Sequence, residues 1–194
     1  MSDEAICQQL VVYAQRAYAR QLVRGTGGNF SARLVGGRMV VTATGISLGD
    51  TSLDNLITVN LENYEWAPRG EYRPSKEYLY HADILKLRQD IEAVLHVHPP
   101  HATAYAVKKC DIPMVTDAAF KQPPMPRVPF APSGSEELRQ GVVRAVQQNP
   151  GCKVLLLERH GIVALGANVI TAYNIADLTE ELARIAFLAE QLSR

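Results

Sequence analysis

The stretch Ala93-Val-Leu-His-Val-His-Pro-Pro100 is an apolar run that ends in a proline pair, and no other feature narrows the fold as much. It reads as a buried strand on which His96 and His98 share one face while Val97 points to the other. Pro99 and Pro100 stop the strand and suit the first turn of a helix, read over residues 102–108. Two imidazoles on one face of a rigid strand are two preformed metal ligands. Of the five histidines, His160 is the best third, because Glu158-Arg-His-Gly161 follows a second apolar run, Val154–Leu157. Three neutral histidines that leave one position open form the pattern of a catalytic zinc site. His81 falls inside a helical pattern and reads as structural, and His101 reads as either a support for the site or a surface residue. His-x-His alone is weak evidence, so the remaining motifs must carry the reading.

Composition limits what those motifs can mean. The 194 residues are expected to form a single domain over 1–194, and 47% hydrophobic residues are enough for a sizeable core. Twenty basic and twenty acidic side chains cancel, so neither nucleic acid nor a membrane surface is an expected partner, and any anionic ligand must be held locally. Cys7, Cys110 and Cys152 are widely spaced, which argues for buried thiols in a reducing compartment rather than a disulfide framework. Ser2-Asp-Glu opens the chain without a basic-then-apolar leader, and no stretch reaches the roughly 18 apolar residues of a membrane span. A cytoplasmic protein is expected.

Residues 4–23 carry a helical period through Ile6, Leu10, Ala14, Ala17 and Leu22, with Gly25 expected as the C-terminal cap. In Gly25-Thr-Gly-Gly-Asn-Phe-Ser31, Gly27 and Gly28 allow a nest of backbone N–H groups, and Asn29 and Ser31 add polar side chains, so the loop can hold a phosphate. A plain glycine turn between a helix and a strand looks similar. Gly36-Gly37 signals a hairpin between 31–35 and 38–43; Thr44-Gly45 is a second small turn, and Leu56–Asn60 a further strand. Such a succession of short strands favours an antiparallel or mixed sheet. Arg73-Pro-Ser-Lys-Glu77 opens the next helix with Ser75 as its N-cap. A helix start bearing Ser75 and Lys76 suits an anion, and Glu77 beside it offers a carboxylate for acid–base work. Residues 113–132 are proline-rich and read as a structured loop reaching toward a neighbouring subunit. A helix over 135–147 capped by Ser135, strands at Val154–Leu157 and 162–165, and a long final helix over Val169–Leu192 complete the chain.

Gly28-Asn-Phe-Ser31, Thr44-Gly45, Pro74-Ser-Lys-Glu77, His96-Val-His98 and His160-Gly161 resemble, in order and spacing, the motifs of the class II aldolase/adducin family, and within it the fuculose-1-phosphate aldolases. The resemblance covers nearly the whole chain. It implies a single three-layer α/β/α domain around a mainly antiparallel sheet, and a homotetramer with active sites between subunits. By position, His96, His98 and His160 match the ligands of Zn2+, with Co2+ or Mn2+ as other ions such a set can take. Glu77 matches the catalytic acid/base, and Gly28, Asn29, Ser31, Thr44, Gly45 and Ser75 match the phosphate pocket. The implied activity is retro-aldol cleavage of a ketose 1-phosphate through an enediolate.

Three departures stand out. Lys76 replaces a serine common in the aldolases, and decarboxylases of 3-oxo sugar-acid phosphates in the same family can carry Ser-Lys-Glu, which keeps that activity as an alternative. Asp117 stands near where the aldolases place a tyrosine, as an auxiliary candidate. The chain ends at Arg194, short of the tail that brings the aldolases a further tyrosine. An adducin-like assembly module is the non-catalytic alternative, and it predicts loss of a ligand set that is present here.

Overall fold

The two faces of each strand explain the layers. In a computed structural model that describes residues 1–192, the strands are β1 (Asn29–Leu34), β2 (Arg38–Thr42), β3 (Leu56–Asn60), β4 (Ala93–Val97), β5 (Arg127–Val128), β6 (Val154–Leu157) and β7 (Gly161–Gly166). They form one sheet in the order β3-β2-β1-β4-β7-β6-β5, antiparallel throughout except for the β5–β6 pair. Ala93, Leu95 and Val97 of β4 pack into one core cluster, with Leu10 and Ala14 of α1 (Asp3–Ala19), Ala102 of α3 (Pro100–Lys108) and Ala176 of α6 (Val169–Leu192). Val94 of β4 faces the opposite cluster, with Tyr80 and Ile84 of α2 (Tyr78–Leu87) and Leu138 and Val142 of α5 (Glu136–Gln148). Helices therefore cover both faces of the sheet, which is the expected α/β/α architecture. Each fully buried Leu, Ile or Val in these layers contributes about 1.5–3 kcal/mol.

The same alternation aims the chemistry. Val97 points to the α1/α3/α6 side, so His96, one residue earlier, points to the α2/α5 side. Asn29 and Ser31 of β1 share that face, because Phe30 and Ala32 belong to the other cluster.

Three local expectations are corrected. The first helix ends at Ala19, not at Gly25: Gln21 takes φ +63° and Leu22 N–H reaches back to Ala17 O at 3.0 Å, which closes the helix four residues early. The second correction concerns α2, which starts at Tyr78 with Glu77 as its cap residue, so Ser75 is not the N-cap. Ser75 N–H instead donates to Thr42 O and Ala43 bridges Pro74, pinning residues 74–75 to the end of β2 before the helix can form. Finally, the proline-rich segment holds two elements unseen in the sequence: α4 (Asp117–Phe120), capped by Thr116, and the short parallel strand β5. The chain end at Arg194 lies outside the described residues.

Candidate active site

His96 occupies the next-to-last position of β4, and its Nδ1 lies 2.9 Å from Ile162 O of β7. A carbonyl only accepts, so Nδ1 carries the hydrogen and the lone pair of Nε2 faces the cleft. His98, just beyond the strand, sets its Nε2 2.9 Å from His96 Nε2. His160 arrives from the β6–β7 turn, where Arg159 takes φ +57°, and its ring centroid is 4.6 Å from that of His96. The three ligand nitrogens lie within 4.8 Å of one another. Zn–N bonds of about 2.0–2.1 Å place tetrahedral ligand atoms roughly 3.3 Å apart, so this donor set fits a zinc ion. Burial, with the charge of neighbouring imidazoles, pushes His98 down to about 3 and His160 down to about 4 against the opposing pull of Glu77. Both are thus unprotonated at neutral pH, as ligands must be.

The glycines of the site are there for space. A Cβ on Gly27 would meet His98 Nδ1 at 2.9 Å, and one on Gly28, whose φ is +73°, would meet His96 O at 2.8 Å. On Gly161 it would meet Val97 O at 2.4 Å and His98 Cδ2 at 2.7 Å. The imidazole of His98 is thereby held between two glycine faces. Gly27 N–H is spent on Arg24 O, so that amide is not free to hold an anion.

Glu77, at the entrance of α2, is buried against these rings. Its Oε2 lies 3.3 Å from His96 Nε2 and its Oε1 3.6 Å from His160 Nε2. Asn29 Nδ2 donates to Oε2 at 3.0 Å, Tyr80 O–H to Oε2 at 3.1 Å and Ser133 O–H to Oε1 at 2.9 Å. Burial raises the carboxyl, but the charges of His96 and His160 and the bonds from Asn29 and Ser133 outweigh it and bring it down to about 2. The group is a fixed carboxylate with one oxygen, Oε1, less fully occupied than the other. Tyr80 is pushed well above the usual phenol range by burial and then by Glu77, so it remains a donor.

The three histidines, Glu77, Asn29 and Ser133 line a cleft of about 240 Å³. Of the residues read as phosphate-binding, Gly28, Asn29, Thr44, Gly45, Ser75 and Lys76 all border it. Thr44 N–H goes to Arg73 O and Ser75 N–H to Thr42 O, so these two residues offer an anion their hydroxyls rather than their amides. Asn29 spends one amide hydrogen on Glu77, and its Oδ1 is buried without a partner. Ser31 is not in the cleft. It is fully buried beneath it, with Oγ 2.8 Å from His81 Nδ1, because the strand alternation that turns Asn29 to this side leaves Ser31 two residues deeper. Asp117 also lies outside the cleft lining, exposed at the start of α4 and paired with Lys121. Larger hollows exist elsewhere, one of about 460 Å³ between α2 and α5, one of about 370 Å³ beside Leu34 and Val169 and one of about 670 Å³ along residues 111–129, and none of the three is lined by an imidazole.

Sequence reasoning missed Ser133 and Thr26, which line the cleft, and Tyr80, which donates to Glu77. Ser133 sits in an otherwise unremarkable Ala-Pro-Ser-Gly turn and carries no local signal. Tyr80 had one: it follows Glu77 by three positions, the spacing that stacks side chains on one helix face.

A seven-stranded sheet between helical layers, carrying a histidine trio and a buried glutamate at one end, is the framework of a class II aldolase. The chain belongs to that family: residues 8–187 match the Class II Aldolase and Adducin N-terminal domain. It is 30% identical over 180 residues to a 5-methylthioribulose-1-phosphate/5-deoxyribulose-1-phosphate aldolase of Escherichia coli, covering 92% of this chain and 81% of the relative. It is 29% identical over 194 residues to a 3-oxo-tetronate 4-phosphate decarboxylase of Haemophilus influenzae, covering 97% and 88%. Among solved structures it superimposes on an L-fuculose 1-phosphate aldolase with a TM-score of 0.89 at 27% identity, covering 100% of this chain and 90% of the other. Relatives in this family are lyases, aldolases and a decarboxylase among them.

Proposed function

We propose that this chain is a zinc-dependent carbon–carbon lyase that cleaves a ketose 1-phosphate, and condenses its products, with His96, His98 and His160 as ligands and Glu77 as the acid/base. The observation that carries the reading is the buried Glu77 carboxylate 3.3 and 3.6 Å from two of three converging imidazoles. Bound there, zinc would supply Lewis-acid stabilisation of the negative charge that develops on the substrate oxygens. The chain's own residues do the rest. Thr44 and Ser75 hydroxyls, the second amide hydrogen of Asn29 and the ammonium of Lys76 hold the phosphate at the far side of the cleft. That contact sets the distance from phosphate to reacting carbon, and Glu77 Oε1 takes or returns the proton at the carbon where the bond is cut. We further propose that residues 1–194 act as a single domain, in a homotetramer with active sites between subunits, in the cytoplasm, a compartment that suits the free thiols of Cys7, Cys110 and Cys152.

A decarboxylase of a 3-oxo sugar-acid phosphate is the second reading, favoured by Lys76 at the cleft, where an ammonium can hold a carboxylate or phosphate, and by the Haemophilus relative. Loss of carbon dioxide leaves the same enediolate, and Glu77 passes to its carbon a proton drawn from solvent. Zinc analysis combined with a turnover screen of ketose 1-phosphates and 3-oxo acid phosphates tests both. Dihydroxyacetone phosphate in heavy water should exchange one carbon-bound proton on wild-type enzyme, and Glu77→Gln should keep the zinc but lose the exchange by 10²-fold or more, roughly the contribution of acid–base catalysis. Undiminished exchange in that variant refutes the role of Glu77.

A further inference from the structure

His96 and His98 are held by different means. His96 is inside the sheet, paired in register with Asn29 of β1 and Val163 of β7, and its ring is oriented by Ile162 O. His98 lies past Val97, the last residue of β4 in register with β7. The position of its main chain therefore depends on what anchors the segment that follows it.

That segment cannot anchor itself. Pro99 is the N-cap of α3 and has no side-chain acceptor, and Pro100 has no N–H. The N–H groups of His101 and Ala102 are left without an intrahelical partner. A carboxylate from another helix supplies it: Glu180 of α6 accepts His101 N–H at 3.1 Å on both oxygens and Ala102 N–H at 3.0 Å on Oε2. Its Oε1 also lies 2.7 Å from His101 Nδ1, and the His101 ring packs at 5.9 Å from that of Phe187, two turns further along α6. The negative charge sits where the helix dipole favours it. α6 in turn is fixed against the sheet by Ala172, Ala176 and Ala183, each fully buried.

We propose that Glu180 is a positioning residue for the metal: by capping α3 from α6 it fixes the chain three residues beyond His98 and so holds that ligand in reach of His96 and His160. The proposal rests on His98 being a ligand. The proline pair makes the dependence strong, because it removes the local cap that would make a distant carboxylate redundant. His101 acquires a role here as the second arm of the clamp.

The test is Zn2+ affinity of the full chain, measured by competition with a chromophoric chelator, alongside the unfolding midpoint of metal-free protein. Glu180→Ala should weaken zinc about tenfold to a hundredfold, the range for groups that orient ligands. Ser2→Ala, which removes the cap of α1 far from the site, should lower stability without moving the affinity. If Glu180→Ala folds and binds zinc as wild type does while His98→Ala does not, Glu180 is a helix cap only and the proposal falls alone. Wild-type affinity in His98→Ala removes the ligand assignment and the proposal together. If Glu180→Ala fails to fold, Glu180→Gln keeps the volume and one acceptor oxygen; it should bind zinc more weakly than wild type, and wild-type affinity there overturns the proposal.

Discussion

Gly161→Ala tests whether the site glycines are present for space. The added Cβ would stand 2.4 Å from Val97 O, against an ordinary carbon–oxygen contact of about 3.3 Å, and 2.7 Å from Cδ2 of His98. Relief therefore needs a shift of about 0.9 Å. Val97 O belongs to the main chain of the central strand β4, which is fully buried and paired on both sides, so it cannot yield. Either β7 separates from β4 at its first residue or the His98 ring leaves its place. Overpacking of this kind costs about 1–3 kcal/mol, and displacement of the ring should add a loss of zinc affinity of tenfold or more, as for any disturbed ligand orientation. Urea unfolding of metal-free protein reads the first effect and chelator competition the second. Gly151→Ala is the control: its Cβ meets nothing within 4 Å, so it should change stability by no more than about 0.5 kcal/mol. A Gly161→Ala protein as stable as wild type and equally avid for zinc would refute the packing argument.

Ser133→Ala should retain zinc while slowing proton exchange about tenfold, because Glu77 Oε1 loses its donor; a normal rate would show that Asn29 and Tyr80 suffice. Ser75→Ala should raise KM for a phosphorylated substrate by roughly 10-fold or more, as for losing one charge-assisted hydrogen bond of about 1.5–3 kcal/mol, with zinc unchanged; the same KM would make that loop a structural turn. His96→Ala should remove most of the metal, and stoichiometric zinc in that variant would sink the ligand set. His81 is held down to about 3, by burial first and then by His96, whereas an unfolded histidine titrates near 6.5. Below about pH 6.5 the unfolded chain binds a proton that the folded one refuses, so stability is present above that pH and lost as pH falls. From pH 7 to 5 this one group should cost about 2 kcal/mol, and His81→Gln should flatten that slope in urea titrations of metal-free protein; an equal slope would assign the acid sensitivity to other groups.

The three converging histidines were legible in the sequence because the backbone around them marks where the elements stop. Strand alternation put His96 on one face, the proline pair marked where β4 stops, and Gly36-Gly37, both with positive φ, forecast the hairpin between β1 and β2. What the sequence could not contain is which polar group meets which. Ser31 and Asn29 share a face, yet only Asn29 reaches the cleft, because depth along a strand is set by the layer packed over it. Ser75 has the composition of a helix cap, but tertiary pairing of residues 74–75 with the end of β2 moved the helix start to Tyr78 and Glu77 to its mouth. Ser133 and Glu180 join the site, or the segment that holds it, across 56 and 79 residues of chain from Glu77 and His101. Local sequence decides the period and the stops of each element, since those depend on neighbours a few bonds away. The partners of a buried carboxylate are decided only when the layers close, since desolvation makes each polar group take whichever donor or acceptor the packing brings within reach.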